Sequence, residues 1–237
     1  SLASGTAEDL AGIALAQMIR PGTPVVFGIQ STAADMRGGI TFACAAPEGT
    51  KMQGFAARMG KFYGIPSRGG GCQTDAPVIN CQAGYESMLT FSSAYRHGIN
   101  LIMEAGGVMD SVNATSFEKM IIDFEIIRQV KASFASIEVN EETLNLEEIK
   151  EVGHDGSFVT ADYTLDNFKD LYDPHIGARN ATDPAYFRKE IEKEIQRLLN
   201  VYERECPKLQ EADLEVLKGV MEKAGIQPEE MEKIAAM

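Results

Sequence analysis

The sequence predicts an α/β fold with parallel strands, because strand-like and helical segments alternate over residues 1–107. Short runs at 25–27, 65–67 and 101–103 are interpreted as strands, and a polar loop follows each of them. Such runs are typical of strands that are buried on both faces of a parallel sheet. Because ligand sites in these sheets lie beyond the carboxyl ends of the strands, we expect the functional residues in the loops.

Helices are predicted from capping residues and from apolar residues at helical spacing. The first covers 7–20, begins at a cap formed by Thr6 and Asp9, and is apolar nearly all round, so neighbours are expected on more than one side. Further helices are predicted at 47–63, 82–97, 116–134, 165–172, 184–205, 213–224 and 228–236, with a polar loop at 29–46 and a candidate strand at 156–160. Two apolar stripes predict buried helix faces: Met120, Ile121, Phe124, Ile127 and Val130, and then Phe187, Ile191, Ile195, Leu198 and Tyr202.

Charge is distributed unevenly along the 237 residues. Residues 1–100 carry seven Lys and Arg against six Asp and Glu, whereas residues 101–237 carry fifteen against twenty-nine, and the net charge is −13. An acidic chain of this kind does not predict nucleic-acid binding, which needs a basic face. The apolar runs are far shorter than the roughly 20 residues that span a bilayer, and no signal sequence opens the chain. We therefore expect a cytoplasmic protein without a membrane partner.

The four cysteines do not predict a metal site, since Cys44, Cys72, Cys81 and Cys206 form no C-x-x-C pair and no histidine stands at ligand spacing with them. Cys72 could be a nucleophile or a buried thiol. The buried thiol is favoured, because no histidine lies nearby in the sequence to activate the sulfur.

A glycine-rich stretch at 64–86 separates two predicted helices and has almost no hydrophobic periodicity. Long loops inside compact domains are uncommon, and an ordered one usually has a function. Its polar side chains are the first candidates for a site: Arg68, Gln73, Asp75, Gln82 and Glu86.

Around this loop the sequence resembles the trimethylamine methyltransferase family. The matching segments are LAGIALAQMI (10–19), PGTPVVFG (21–28), FYGIPS (62–67), TDA (74–76), QAG (82–84) and IID (121–123). The resemblance reaches to about residue 158 and implies the C-terminal part of a (β/α)8 TIM barrel with parallel strands. We therefore predict that residues 1–180 are the partial barrel and that residues 181–237 are a helical C-terminal extension.

The resemblance also implies a chemistry, namely transfer of a methyl group from a methylated amine to the cobalt of a corrinoid. A separate partner protein carries that corrinoid, so no cofactor is expected on this chain. Pyrrolysine in the trimethylamine enzymes occupies the position of Gln73, whose amide cannot form a covalent adduct with a tertiary amine. The resemblance therefore implies the pyrrolysine-free branch, which demethylates quaternary amines such as betaines. A quaternary amine leaves as a neutral tertiary amine, so orientation and electrostatics suffice.

Three residues are predicted to be catalytic: Gln73, Asp75 and Glu104. Glu104 ends the third strand, where the pyrrolysine enzymes have a glycine, and its carboxylate could pair with the ammonium group. The alternative is a structural glutamate that is satisfied by the amides of the Gly106–Gly107 turn. For Asp75, a role in capping its own loop is an equal alternative.

Six further residues are predicted to bind substrate: Phe27, Asp35, Phe42, Arg68, Gln82 and Tyr85. The three aromatic rings could form a box for the cation, and core packing is the alternative for each. Arg68 could grip the carboxylate of a betaine through two hydrogen bonds, with a solvent-facing or structural arginine as the alternative. For Asp35, loop capping is again an equal alternative.

Two other functions stay open. The glycines at 69–71 could cradle a phosphate in a barrel enzyme of another kind, although no G-x-x-x-x-G-K motif is present. The chain could instead be a catalytically inert association or docking fragment. Because part of the barrel wall is missing, we expect these 237 residues alone to lack turnover, and we expect self-association to shield the open sheet edge.

Overall fold

The computed structural model describes residues 1–29, 31–207, 210–227 and 230, and the side chains of all these residues except Ile40 and Thr41. Two compact units are distinguished, Ser1–Ile195 and a second that begins at Gln196. The helix predicted at 228–236 lies outside the described residues, apart from residue 230. No helix in the described ranges is both long and apolar enough to cross a bilayer.

Helices account for most of the regular structure. They are α1 (Leu2–Ile19), α2 (Pro47–Tyr63), α3 (Cys81–His97), α4 (Phe117–Ser133), α5 (Glu141–Leu144), α6 (Leu146–Val152), α7 (Asp162–Asn167), α8 (Tyr186–Glu205) and α9 (Glu211–Lys223). The strands are β1 (Ala33–Asp35), β2 (Ile40–Ala43), β3 (Arg68–Gly70), β4 (Leu101–Met103), β5 (Val108–Met109) and β6 (Ala114–Thr115).

The prediction of a mixed α/β fold with parallel strands is confirmed. β3 and β4 pair in parallel, with Gly69 opposite Ile102, and Phe27 forms a single parallel bridge to Ser67. Three chain segments therefore run side by side in one direction. The described residues form no closed barrel, and their remaining strand pairs, β1–β2 and β5–β6, are antiparallel two-stranded ribbons.

The strand predicted at 65–67 is displaced to β3, and the reason is local. Gly64 ends α2 in the left-handed conformation, and the Ile65 amide donates back to the Gly60 carbonyl to close the helix. Pro66 has no amide hydrogen to donate. Ladder pairing therefore begins only at Ser67, and the glycines predicted to lie in a loop form the strand itself.

Two other strand predictions are corrected. The run 25–27 contributes only the Phe27 bridge, and β4 is not buried on both faces, since Leu101 is 49% exposed. The polar loop predicted at 29–46 contains the β1–β2 hairpin. Residues 158–160 form a 3₁₀ turn where a strand was a candidate.

Helix ends with local capping signals are predicted well. The Asn80 side chain accepts from the Ala83 amide at the start of α3, and Ser116 does the same for Lys119 at the start of α4. Gly98 ends α3 with φ 71°, as Gly64 ends α2 with φ 67°. Helices α2, α3 and α4 consequently agree with their predicted bounds to within one residue at each end.

The first helix differs from its prediction at its start and in its burial. It begins at Leu2, and the Thr6 hydroxyl donates back to the Leu2 carbonyl from inside the helix. None of its residues is buried, and Met18 is 80% exposed. Leu10 and Ile13 pack against the cluster around Phe27. The neighbours expected on its other sides are not present among the described residues.

Helix α3 packs between α2 and α4, and this layer carries much of the core. Ile121 and Val130 of the predicted α4 stripe are buried, which confirms that part of the prediction. The other buried positions are Lys119, Asp123 and Ile126, each one residue before a predicted member, and Phe124 is 46% exposed. Ile191 of the predicted α8 stripe is buried against Ile121 and Ile176, but Phe187 is largely exposed. The helix predicted at 165–172 is α7 followed by a 3₁₀ turn at 168–170.

Glu125 of α4 fastens the segment 172–176 to this layer. One carboxylate oxygen accepts from the Tyr172 hydroxyl at 2.5 Å, and the other accepts from the amides of His175 and Ile176. Burial and the hydrogen bond to Glu125 raise the pKa of Tyr172 to about 12. The buried Ile176 side chain is thereby brought against α4 and α8.

Replacing the hydroxyl should reveal this clamp. We expect Tyr172→Phe to lower the free energy of unfolding by about 1 kcal/mol at pH 7. Because the pKa in the folded state is raised, the contribution of Tyr172 is fully present below pH 10 and is lost as the pH rises towards 12. Urea unfolding at pH 7 and pH 11 should therefore show a smaller difference between wild type and variant at the higher pH. An equal difference at both values would contradict the assignment.

Candidate functional site

Gln73 and Glu104 meet at the carboxyl ends of the parallel pair β3 and β4. The Gln73 side-chain amide donates to Glu104 Oε2 at 2.6 Å. Gln73 is only 3% exposed, whereas Glu104 is partly exposed. The pair therefore combines a buried amide with a residue that solvent partly reaches.

The backbone on both sides of this pair is unusual. Cys72, immediately before Gln73, has φ 50°, and Glu104 itself has φ 56°. Non-glycine residues in the left-handed region are uncommon and cluster at functional sites, where the surrounding structure enforces them. Gly70 lies under the Gln73 amide, and a Cβ at Gly70 would come within 2.6 Å of it. The amide is therefore packed directly onto the backbone of β3.

A buried ion pair on α4 contacts the backbone of the loop that carries Gln73. Lys119 Nζ contacts the two carboxylate oxygens of Asp123 at 2.5 and 2.6 Å, and both side chains are 0% exposed. The same ammonium group donates to the Cys72 carbonyl at 3.0 Å, and Asp123 accepts from the Gly107 amide at 2.8 Å. Burial raises the pKa of the Asp123 carboxyl, while the Lys119 ammonium and the Gly107 amide oppose that rise.

Glu86 of α3 holds the next turn of the loop. Its Oε2 accepts from the Thr74 hydroxyl at 2.6 Å and from the Asp75 amide at 2.9 Å, while Oε1 accepts from Gln82. The hydroxyl of Thr90, one turn further along α3, accepts a hydrogen bond from the backbone amide of Gln73. Gln82, predicted to bind substrate, is thus engaged with Glu86.

Asp75 joins three separate parts of the chain. Its carboxylate accepts from the amides of Cys44 and Ala45, from the Cys44 thiol and from the Ser111 hydroxyl. Four donors around one carboxylate favour a structural role over a catalytic one, but they come from other segments and not, as the capping alternative had expected, from its own loop. Ser111 lies in a turn at 110–112 whose three residues all have positive φ, and the Ser111 amide donates to the Thr74 carbonyl.

The three aromatic candidates differ in their burial. Phe27 is fully buried in a cluster with Ile29 and Ala56, and its ring centroid lies 5.9 Å from that of Tyr63. This is the core position that the alternative interpretation expected. Phe42 is partly buried on β2, and Tyr85 on α3 is 62% exposed.

The remaining two candidates take different places. Arg68 opens β3, and its side chain crosses the backbone of Gly28, where a Cβ would come within 1.9 Å of the arginine Cγ. Asp35 forms an ion pair of 2.9 Å with the exposed Arg37 in the turn that joins β1 to β2. Among the described contacts, none links Asp35 to the Gln73–Glu104 pair.

Cys72 is fully buried. Its burial, and to a lesser extent the nearby Asp123 carboxylate, raise the pKa of its thiol. The buried thiol, rather than the nucleophile, is therefore the interpretation that the geometry supports. Cys44 is also buried, with the pKa of its thiol raised by burial and by Asp75.

Sequence reasoning did not find Lys119 or the full role of Asp123. Their spacing of four residues places them on one helix face, in line with Ile126 and Val130, and this alignment of opposite charges with apolar positions was the available signal. Gln53 was also missed; its side chain donates to the Gly70 carbonyl at 2.8 Å.

An apolar concavity lies elsewhere. It has a volume of about 480 Å³ and is lined by apolar side chains that include Val78, Ile79, Ile122, Phe187 and Ile191. Neither Gln73 nor Glu104 lines it. This concavity is therefore separate from the Gln73–Glu104 pair.

Comparison with known proteins gives a family. The sequence profile of the family described as trimethylamine methyltransferase (MTTB) matches residues 1–222, which is nearly the whole chain.

Individual relatives agree with the profile. The chain is 38% identical over 184 residues to a glycine betaine methyltransferase from Desulfitobacterium hafniense (strain Y51), a match that covers 77% of this chain and 38% of the relative. It is 35% identical over 164 residues to the trimethylamine methyltransferase MttB of Methanosarcina thermophila, which covers 69% of this chain and 34% of the relative. The matched region thus spans little more than a third of either relative. Since the profile covers far more than half of the sequence, the chain belongs to the trimethylamine methyltransferase family.

Proposed function

We propose that the polypeptide carrying this chain transfers a methyl group from a quaternary amine, such as a betaine, to the Co(I) of a corrinoid protein. Family membership supports the methyl transfer, and the similarity to a protein named glycine betaine methyltransferase supports the quaternary amine. The partner protein supplies the cobalt that accepts the methyl group, and the substrate leaves as a neutral tertiary amine. The tasks of this chain are to bind the cation, orient it and exclude water.

The observation that carries the proposal is the hydrogen bond between Gln73 and Glu104. An amide at this position offers no covalent chemistry, but it can orient a carboxylate. Glu104 is a partly exposed residue at the strand ends, where ligands of parallel sheets bind. A carboxylate held in one orientation attracts a permanent cation more strongly than a mobile one, because no reorganisation accompanies binding.

The phosphate-binding alternative is disfavoured by the glycines themselves. Gly69 and Gly70 are paired with β4, and the Gly71 amide donates to the Met103 carbonyl. A phosphate cradle needs several consecutive amides that point at the anion. Gly69 and Gly70 are strand residues, and the Gly71 amide is already engaged with β4. The polar side chains that follow at this edge of the sheet are those of Gln73 and Glu104.

A turnover assay tests the proposal directly. The protein is mixed with a corrinoid protein reduced to Co(I), and a panel of methylated amines is screened by corrinoid absorbance. We expect absorbance changes with quaternary amines and none with trimethylamine. Because the matched region spans little more than a third of the relatives, both the 237 residues and any longer natural polypeptide that carries them are assayed. Turnover of trimethylamine without any quaternary amine would contradict the proposal.

Removing the charge of Glu104 should weaken binding of the cation. We expect Glu104→Gln to reduce the affinity for glycine betaine roughly 10- to 100-fold, because a charged partner in a partly buried site is lost. Isothermal titration with 3,3-dimethylbutanoate, in which carbon replaces the charged nitrogen, should show little change. Glu142→Gln, on the exposed surface of α5, is the control for removal of one negative charge. Equal affinity of wild type and Glu104→Gln for betaine would make Glu104 structural.

Gly70→Ala should disturb the pair from below. Its Cβ would lie 2.6 Å from the Gln73 side-chain amide, so that amide must shift, and we expect its hydrogen bond to Glu104 to be disturbed. We expect a loss of about 1–3 kcal/mol in the free energy of unfolding together with weaker binding of betaine. Gly69→Ala is the matched control on the same strand, because its Cβ meets only Ile99 at an ordinary 3.5 Å. Similar behaviour of the two variants in urea unfolding and titration would remove the support for the pair.

A further inference from the structure

We infer that Lys119 and Asp123 are positioning residues that set the geometry of the Gln73–Glu104 pair. The consequence for substrate binding rests on the function proposed above, but the positioning itself does not. The two side chains lie one turn apart on α4, and none of the hydrogen bonds described above joins them to the side chains of the pair. They contact the backbone beside each member of the pair, at Cys72 before Gln73 and at Gly107 after Glu104.

The first connection runs to Gln73 through the residue before it. Lys119 Nζ donates to the Cys72 carbonyl at 3.0 Å, and the Ser87 hydroxyl donates to the same oxygen at 3.1 Å. Cys72 is left-handed, with φ 50°, and this conformation turns the chain so that Gln73 lies over Gly70. A carbonyl held by two buried donors fixes the peptide that joins Cys72 to Gln73.

The second connection runs to Glu104. Asp123 Oδ2 accepts from the Gly107 amide at 2.8 Å, three residues after Glu104. Glu104 is left-handed and Gly107 has φ 81°, so the chain turns sharply between the end of β4 and this contact. The ion pair therefore holds the loops after β3 and β4 from one point on one helix.

An apolar pair could fill the same volume but could not replace these contacts. Two buried charges are seldom more stabilising than a hydrophobic pair of similar size. An ammonium group, however, has three donors, and here they serve both carboxylate oxygens of Asp123 and the Cys72 carbonyl. The arrangement thus couples two loops in a way that hydrophobic packing does not.

The side-chain amide of Gln73 provides a readout that needs no ligand. Its two protons can be assigned by NMR from their loss in Gln73→Met. In the native protein we expect slow solvent exchange, because the amide is buried and bonded to Glu104. In Lys119→Met/Asp123→Asn no charge is left unpaired, and the asparagine can still accept from Gly107. We expect exchange of the Gln73 amide to become roughly tenfold faster or more, since the Cys72 carbonyl loses its ammonium donor.

Two further variants separate positioning from general destabilisation. Tyr172→Phe removes a hydrogen bond to Glu125 on the same helix but none of the described contacts of Lys119, Asp123, Cys72 or Gly107, so the Gln73 side-chain amide should exchange as in wild type. Ser87→Ala removes the second donor on the Cys72 carbonyl and should give a smaller acceleration, and it serves if the double variant does not fold. Unchanged exchange in Lys119→Met/Asp123→Asn, or in Ser87→Ala if that variant is needed, would overturn the inference. The same is true of equal acceleration in Tyr172→Phe.

Titration with glycine betaine then links positioning to function. If the ion pair acts through Glu104, the double variant should bind betaine more weakly, and adding Glu104→Gln should weaken it no further. Additive losses would overturn this link. If wild type binds no quaternary amine while the exchange results follow the expectation, the proposed function fails and the positioning stands.

Discussion

Two charges removed from water, Lys119 and Asp123, are the constraint on which the organisation of this chain depends. Burial of an isolated ammonium or carboxylate is strongly unfavourable, so each must be fully compensated by partners. The compensation here comes from backbone groups of two different loops, the Cys72 carbonyl and the Gly107 amide. The ion pair therefore links α4 to the loops that follow β3 and β4.

The parts of the fold that the sequence predicted are those with local causes. Pro47, Gly64, Gly98 and Ser116 mark helix ends because they act on the backbone beside them, and α2, α3 and α4 lie where these residues place them. Strand positions depend on partners distant in sequence, and the displacement of the strand at 65–67 to β3 reflects this. The sparse burial of α1 likewise depends on what lies beside the helix, which its apolar composition does not encode.

The candidate site divides in the same way. Gln73 and Glu104 were singled out by family resemblance and by position after a strand, but their hydrogen bond follows from the pairing of β3 with β4 and could not be read from either segment. Lys119 and Asp123 escaped notice because charges four residues apart on a helix usually face solvent. Aromatic residues near strand ends were ambiguous from sequence alone, and the complete burial of Phe27 is decided by its surroundings.

Glu104 occupies a backbone conformation in which glycine would be at ease. A residue with a Cβ pays roughly 1–2 kcal/mol for adopting it. On this backbone term alone, selection for thermal stability would favour glycine at this position. Glu104 is thus kept in a backbone conformation that glutamate disfavours. We therefore expect a library that is selected for stability alone, without ligand binding, to lose this acidic side chain.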